Sequence, residues 1–338
     1  MKAAVLVKNG KASSAFEVRE VERPQPKDDE VLIKVEVFGL NFADVMARNG
    51  MYKEAPPLPA ILGYDVAGYI ETVGREVSSF KKGDRVMAMT RFGGYAEYAV
   101  TKASATAIIP DSIDTAAATA LATQYCTAYY LAAEMVNLFE NDKVLVQSGA
   151  GGVGTALIQY AKYKGCEIFA TAGSNEKLNS LSAAGVKYPI NYTTEDFEEA
   201  IKEKTGSKGV DVIFDAVGGA NVKKGFRSLA VGGRLVCYGA SDMSGKNIFG
   251  KIKAALGFGF YHPVMMMMPT KAIIGVNMLR IADEKPAIIQ RCINGVMDLT
   301  QKGVFKPVLG KLFDVSEIGA AHEFLEKRKS TGKIAVKW

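Results

Sequence analysis

Lys143-Val-Leu-Val-Gln-Ser-Gly-Ala-Gly-Gly-Val-Gly154 is the stretch on which the reading of this 338-residue chain turns. A short apolar run over 143–147 meets Gly149-x-Gly151-x-x-Gly154, and residues 153–164 then take helical spacing closed by Gly165. Strand, glycine turn and helix in that order give a G-x-G-x-x-G its physical meaning. Gly149 permits a tight turn, Gly151 lets the backbone approach a pyrophosphate, and Gly154 lets helix and strand lie close. Gly152 and Val153 open the helix, whose N-terminus offers free N–H groups and a partial positive charge to phosphates. The stretch is read as a dinucleotide cradle; the plainer reading is a glycine-rich turn that binds nothing.

Outward from the cradle, the same alternation continues. Apolar strands are expected at 167–172, 186–191, 210–217 and 234–239, with helices from Ser174 to 184, from Thr194, and over 219–229. Strand–helix alternation at this spacing predicts a doubly wound parallel sheet. Residues 241–269, with Met265–Met268, read as irregular. A strand at 271–277, a helix at 283–301 capped by Asp283, β structure at 305–314, a helix at 316–327 and a strand at 333–337 follow. Residues 1 to about 120 are strand-rich (3–7, 31–37, 66–73, 96–100), with one short helix near 43–48. The tail shares the character of the head. The expectation is therefore an α/β chain with a nucleotide-binding unit at 123–269, inserted into a discontinuous β domain formed by 1–122 and 270–338.

The second strand decides between cofactors. An NAD site places an acid about 20 residues past the glycines, to bind the ribose hydroxyls. This strand ends Thr171-Ala-Gly173-Ser174 without one, Lys177 follows in the next helix, and Tyr192 ends the third strand. A 2′-phosphate would find a small Gly173/Ser174 pocket with a cation and a phenol. Each such charge-assisted bond is worth about 1.5–3 kcal/mol. The reading is NADPH over NADH; the plain alternative is a solvated helix lysine and a half-buried aromatic.

Composition excludes other classes. Lys+Arg 42 against Asp+Glu 36 gives +6, with both signs mixed, so no basic arm points to nucleic acid. No apolar run reaches the roughly 18 residues of a membrane span. Cys126, Cys166, Cys237 and Cys292 form no Cys-x-x-Cys pair, and His262 and His322 are the only histidines. A zinc site needs three or four close-set ligands, so none is expected. Unpaired cysteines fit a reducing cytoplasm.

With these residues in view, the chain resembles the medium-chain dehydrogenase/reductase superfamily, in its zinc-free quinone oxidoreductase (zeta-crystallin-like) branch. The cradle with Gln159 and Lys162 carries the likeness. So do Leu40-Asn-Phe-Ala-Asp44, Gly50-Met-Tyr52, Gly63-Tyr-Asp-Val-Ala-Gly68 and Gly83-Asp-Arg-Val86. Met89-Thr-Arg-Phe-Gly-Gly94 with Gln124-Tyr-Cys-Thr-Ala-Tyr129 is similar to the vesicle amine transport protein homologues of that branch. Zinc alcohol dehydrogenases carry Cys before the first helix and Gly-His-Glu where this chain has Gly63-Tyr64-Asp65. The resemblance implies a Rossmann unit within a GroES-like barrel domain, NADP(H) as cofactor, a small electrophilic acceptor and a homodimer paired along strand 271–277. It implies that Asn41, Asp44 and Tyr52 line the nicotinamide and acceptor side, with Thr127 near the carboxamide. It also implies that Val217, Tyr238, Gly239 and Ser241 touch the cofactor.

Asn41 could donate to a quinone oxygen as charge develops there, and Tyr52 could stack or donate a proton. The plain readings are a cap for Asn41, a first-turn acid for Asp44 and loop packing for Tyr52. Lys333 lies near the site or is a solvated terminal lysine. Met265–Met268 with Phe258, Phe260 and Tyr261 form an apolar lip, or else a subunit contact or core filler. Three functions stay open: an NADPH-dependent reductase of quinones or related carbonyls, an enoyl-thioester or alkenal reductase using Tyr52 or Tyr64, and a cofactor-binding protein associated with lipid or nucleic acid.

Overall fold

The computed structural model describes residues 1–338, the Ile248 side chain excepted. The chain divides into two units, Thr127–Met278 and the discontinuous pair Met1–Cys126 with Leu279–Trp338.

In Thr127–Met278, six parallel strands form one sheet. Their order is Tyr188–Asn191, Glu167–Ala172, Lys143–Val146, Val210–Asp215, Leu229–Cys237, Ala272–Gly275. Numbered along the chain this is 3-2-1-4-5-6, the Rossmann order, which reverses direction beside Lys143–Val146. Leu145, Phe169, Ile190, Ile213 and Leu235, one from each of five strands, are buried in the same core. Those strands read as apolar runs because helices cover such a sheet on both faces.

Two features depart from the sequence reading. Ala272–Gly275 pairs in parallel with Leu229–Cys237, so the inserted unit runs to Met278 rather than 269. Apolar alternation announces a strand but not the sheet it joins. Residues 241–269, expected to be irregular, contain the helices Ile248–Gly257 and Pro263–Met267. Asn247 caps the first by accepting the Gly250 N–H at 2.8 Å. Its amphipathicity is inverted: Phe249, Ile252 and Leu256 are exposed while Ala254 is buried. A Cβ on Gly257 would lie 2.7 Å from the Ala220 nitrogen. A pattern search for an inward apolar stripe therefore fails there.

The other unit, Met1–Cys126 with Leu279–Trp338, is built on two sheets. A seven-stranded sheet runs Leu309–Asp314, Lys333–Lys337, Glu30–Leu40, Asp65–Val73, Arg85–Met89, Thr106–Ile108, with Tyr98–Lys102 also paired to Glu30–Leu40. A three-stranded sheet joins Phe16–Glu20, Lys2–Leu6 and Ala60–Ile61. Ile33, Phe38, Val66, Val86 and Ile334 lie in the barrel core. The helix expected over 283–301 is two, Met278–Glu284 and Pro286–Gln301. Pro286 has no N–H to continue a helix and instead starts one. Asp283, expected as a cap, pairs with Arg91 at 2.6 Å.

Candidate functional site

In Thr127–Met278 the carboxyl ends of the parallel strands gather the polar and small residues that the sequence singled out. After Lys143–Val146 the chain turns at Ser148 with φ 56°, a left-handed conformation uncommon for a residue with a Cβ. Three bonds hold the turn. The Ser148 N–H donates to Thr171 Oγ1 at 3.1 Å, Thr171 Oγ1 donates to Gln147 Oε1 at 2.7 Å, and the Gly149 N–H donates to the Thr171 carbonyl at 2.9 Å. The helix Gly152–Tyr163 follows, with Gly151 at its N-cap and no side chain capping it. Its first-turn N–H groups therefore receive no bond from the N-cap side chain. A Cβ on Gly154 would stand 2.5 Å from the Ser148 carbonyl oxygen and 2.7 Å from that of Gly149, which makes glycine obligatory for the close turn.

The second and third strands end beside each other. A Cβ on Gly173 would lie 2.3 Å from the Tyr192 hydroxyl, so glycine keeps the phenol in place. Ser174 caps the helix Asn175–Ala183 by accepting the Lys177 N–H at 3.4 Å. Partial burial pushes the Lys177 ammonium pKa down. The fourth and fifth strands end in a tied turn. Asp215 Oδ1 accepts the N–H groups of Val217 and Gly218 at 2.7 and 3.1 Å, and Ser241 N–H donates to the Ala216 carbonyl at 3.2 Å. The other oxygen of Asp215 is buried with no hydrogen-bond partner among the described residues, and burial raises its carboxyl pKa. Tyr238 and Gly239 follow the fifth strand directly; Thr127 lies buried in the short helix Cys126–Tyr129.

The barrel domain holds a second polar cluster. Asn41 links Glu30–Leu40 to the helix Phe42–Arg48. Its backbone N–H donates to Asp44 Oδ2 at 2.8 Å, and the Gly63 N–H donates to Asp44 Oδ1 at 3.2 Å. The Asn41 side chain also meets two charged groups: Nδ2 donates to Asp65 Oδ2 at 2.7 Å, and Oδ1 accepts from Lys333 Nζ at 3.1 Å. Lys333 also pairs with Asp65 at 2.7 Å, both side chains being 0% exposed. Lys333 is therefore not a solvated lysine.

Asp44 is fully buried, and burial, reinforced by Asp65, raises its carboxyl to about 7 against the pull of the Asn41 N–H and Lys333. Tyr52 is half-buried; burial first and Glu54 second push its phenol pKa up, so it stays a donor. Its ring meets Tyr64 edge-on at 6.2 Å, and Tyr64 meets Phe92 at 5.0 Å. The Tyr64 hydroxyl is buried without a well-formed hydrogen bond among the described residues. His322 is fully buried, 3.2 Å from the Tyr95 hydroxyl, and burial lowers its imidazole to about 3. It stays neutral.

The structure thus gathers Asn41 and Asp44 in one cluster, and the glycine loop, Gly173, Ser174, Tyr192, Val217, Tyr238, Gly239 and Ser241 at one edge of the parallel sheet. Asp65, Lys333 and Asp215 received no firm role from the sequence. Each stands at the end of a strand that carries a second charged residue, Glu71, Lys337 and Asp211 respectively, so position alone does not single it out.

Two family descriptions match the chain: "Zinc-binding dehydrogenase" over 152–292 and "Alcohol dehydrogenase GroES-like domain" over 27–111. The zebrafish (Danio rerio) synaptic vesicle membrane protein VAT-1 homolog is 34% identical over 92% of this chain, which spans 65% of that relative's length. Human quinone oxidoreductase is 33% identical over 92% of this chain and 90% of its own. Among solved structures, Escherichia coli quinone oxidoreductase complexed with NADPH superposes with TM-score 0.87 at 27% identity, covering 100% of both chains. CurK enoyl reductase superposes with TM-score 0.86 at 26% identity, covering 99% of both. Zinc, named in the first description, does not fit the residues present. No group of three or more His, Cys, Asp or Glu suited to a metal occurs among the described residues, and Asp65 is already paired with an ammonium.

Proposed function

This chain is a member of the medium-chain dehydrogenase/reductase superfamily, and on that premise we propose that it is an NADPH-dependent oxidoreductase acting on quinones or related electrophilic carbonyl compounds. The observation that carries the cofactor is the uncapped helix N-terminus behind residues 148–154, set where the strand order reverses. Gly149, Gly151, Gly152, Val153 and Gly154 would hold the pyrophosphate. Gly173, Ser174, Lys177 and Tyr192, with no acid among them, suit a 2′-phosphate better than a free ribose hydroxyl. Thr127, Val217, Tyr238, Gly239 and Ser241 would serve the nicotinamide half.

NADPH, when bound, supplies the hydride; the chain binds, orients and excludes water. Asn41 donates an amide N–H to the acceptor oxygen as negative charge grows on it. Asp44, enclosed and bonded to backbone, holds the Asn41 and Gly63 amides in place. Tyr52 stacks on the acceptor or gives it a proton. A reduced quinone takes its proton from water, so no general acid is obligatory. The likeness to CurK enoyl reductase favours a second reading, reduction of an enoyl thioester with Tyr52 or Tyr64 as proton donor.

Fluorescence titration with NADPH and NADH, then NADPH absorbance loss with quinones and with crotonyl thioesters, tests the proposal. Tight NADPH binding and quinone turnover are expected. Crotonyl turnover without quinone turnover gives the second reading, and no affinity for either nucleotide removes both.

We further propose that the protein works as a homodimer in a reducing cytoplasm. The outer edge of Ala272–Gly275 has no strand partner among the described residues, and Phe260, Met267 and Met268 nearby in sequence are exposed. All four cysteines are free. Sedimentation at a monomer's mass would remove the dimer. No helix among the described residues is long and apolar enough to cross a membrane.

A further inference from the structure

We propose that Lys333 is a positioning residue: its buried ammonium, with Asp65, fixes the direction of the Asn41 carboxamide. This rests on the reading of Asn41 as the acceptor's hydrogen-bond donor. Three adjacent strands of the barrel sheet supply the three groups. Asn41 follows Glu30–Leu40, Asp65 begins Asp65–Val73, and Lys333 begins Lys333–Lys337, with Glu30–Leu40 in the middle. Their contacts close a triangle: Lys333 Nζ to Asn41 Oδ1 at 3.1 Å, Lys333 Nζ to Asp65 Oδ2 at 2.7 Å, and Asn41 Nδ2 to Asp65 Oδ2 at 2.7 Å.

An amide has two orientations, and here only one is tolerated. An ammonium offers hydrogens alone, and a carboxylate offers lone pairs alone. Rotating the Asn41 amide by a half-turn would set its NH2 against the ammonium and its oxygen against the carboxylate, replacing two charge-assisted bonds by two repulsions. The locked amide keeps one N–H uncommitted to the triangle. Asn41 alone of the three retains exposure, 8%, against 0% for Asp65 and Lys333. On the proposed reading it is the member of the three that meets the acceptor.

The triangle is also built for. A Cβ on Gly39 would lie 1.8 Å from Asp65 Oδ1 and 2.1 Å from Lys333 Cε, so the strand gives up a side chain to admit the pair. A buried ion pair stabilises a fold little better than apolar residues of the same volume. What this one contributes beyond stability is direction.

The test uses the full chain with NADPH and 1,4-benzoquinone. Lys333→Met alone leaves a carboxylate buried without its cation and is prone to unfold, so the informative variant is the charge-balanced Asp65→Asn/Lys333→Met. Expected are an unchanged NADPH Kd and a kcat lowered on the order of 10- to 100-fold. Asn41→Ala should match that loss, and the triple variant should show no further loss, because the pair acts through Asn41. In 15N-correlated NMR of the free protein, one Asn41 Nδ2–H should be shifted strongly downfield in wild type and should lose that shift in the double variant. A folded double variant with wild-type turnover beside a slow Asn41→Ala would overturn the coupling alone. Wild-type turnover of Asn41→Ala would overturn the reading of Asn41, and this proposal with it.

Discussion

Gly151→Ala separates the dinucleotide cradle from the fold that presents it. Gly151 has φ −76° and ψ 169°, a conformation alanine adopts freely. Its added Cβ would approach only the Ser148 carbonyl oxygen, at 3.2 Å. The free protein should therefore change stability by less than about 1 kcal/mol, with a gain of ~0.4–1 kcal/mol from the stiffer unfolded chain working in its favour. The same methyl stands where a pyrophosphate must come against backbone N–H groups. Displacing one phosphate oxygen from one such bond removes about 1.5–3 kcal/mol. At 1.4 kcal/mol per decade that is roughly a 10- to 150-fold rise in the NADPH Kd. Fluorescence titration reads the affinity and a thermal melt reads the fold. Gly154→Ala is the contrast, since its Cβ meets two backbone oxygens at 2.5 and 2.7 Å. Overpacking of that kind costs about 1–3 kcal/mol and lowers Tm even without nucleotide. A Gly151→Ala protein that binds NADPH as wild type does would refute the assignment of residues 148–154 as the phosphate cradle.

Lys177→Ala should narrow the preference for NADPH over NADH by about tenfold or more, one charge-assisted bond's worth; an unchanged ratio of the two Kd values removes Lys177 from the phosphate site. Asp44 should impose a pH dependence on stability. Its carboxyl is near 3.8 when unfolded and about 7 when folded, so its contribution is whole below pH 4 and is lost as pH rises through 7, by up to about 1.4 kcal/mol per pH unit. Urea unfolding from pH 4.5 to 8 should show Asp44→Asn with a flatter profile than wild type, and parallel profiles would contradict the burial argument. Tyr52→Phe should spare 1,4-benzoquinone turnover, where water can protonate the product, and lower crotonyl-thioester turnover by ~100-fold if that activity is present; equal rates with both acceptors dispose of the proton-donor role.

Five of the six strands of the parallel sheet were legible because each holds a short apolar run closed by Gly, Ser, Asp or Asn, and because a glycine's function in a turn is written in its identity; the sixth, Ala272–Gly275, was legible as a strand but not as a member of this sheet. The polar cluster of the barrel was half legible. Asn41 and Asp44 announce themselves at the start of a helix, where polar residues have local work to do. Asp65 and Lys333 do not, because what defines them is non-local: 268 positions separate the two ends of a 2.7 Å ion pair. Nothing in the run Lys333–Lys337 says that its first lysine is enclosed while its last is exposed; period-two alternation would put both on one face, and it is the neighbouring strand, with its bare Gly39, that makes the difference. The outward-facing helix Ile248–Gly257 fails in the opposite direction. Its apolar residues are read as inward by rule, yet glycine and alanine form its inner face, so the rule that burial follows hydrophobicity inverts where small residues set the distance between elements. Charge and apolarity locate structure in a sequence only when the surroundings that must satisfy them are local. Where a strand 268 positions away satisfies them, the residue is visible and its role is not.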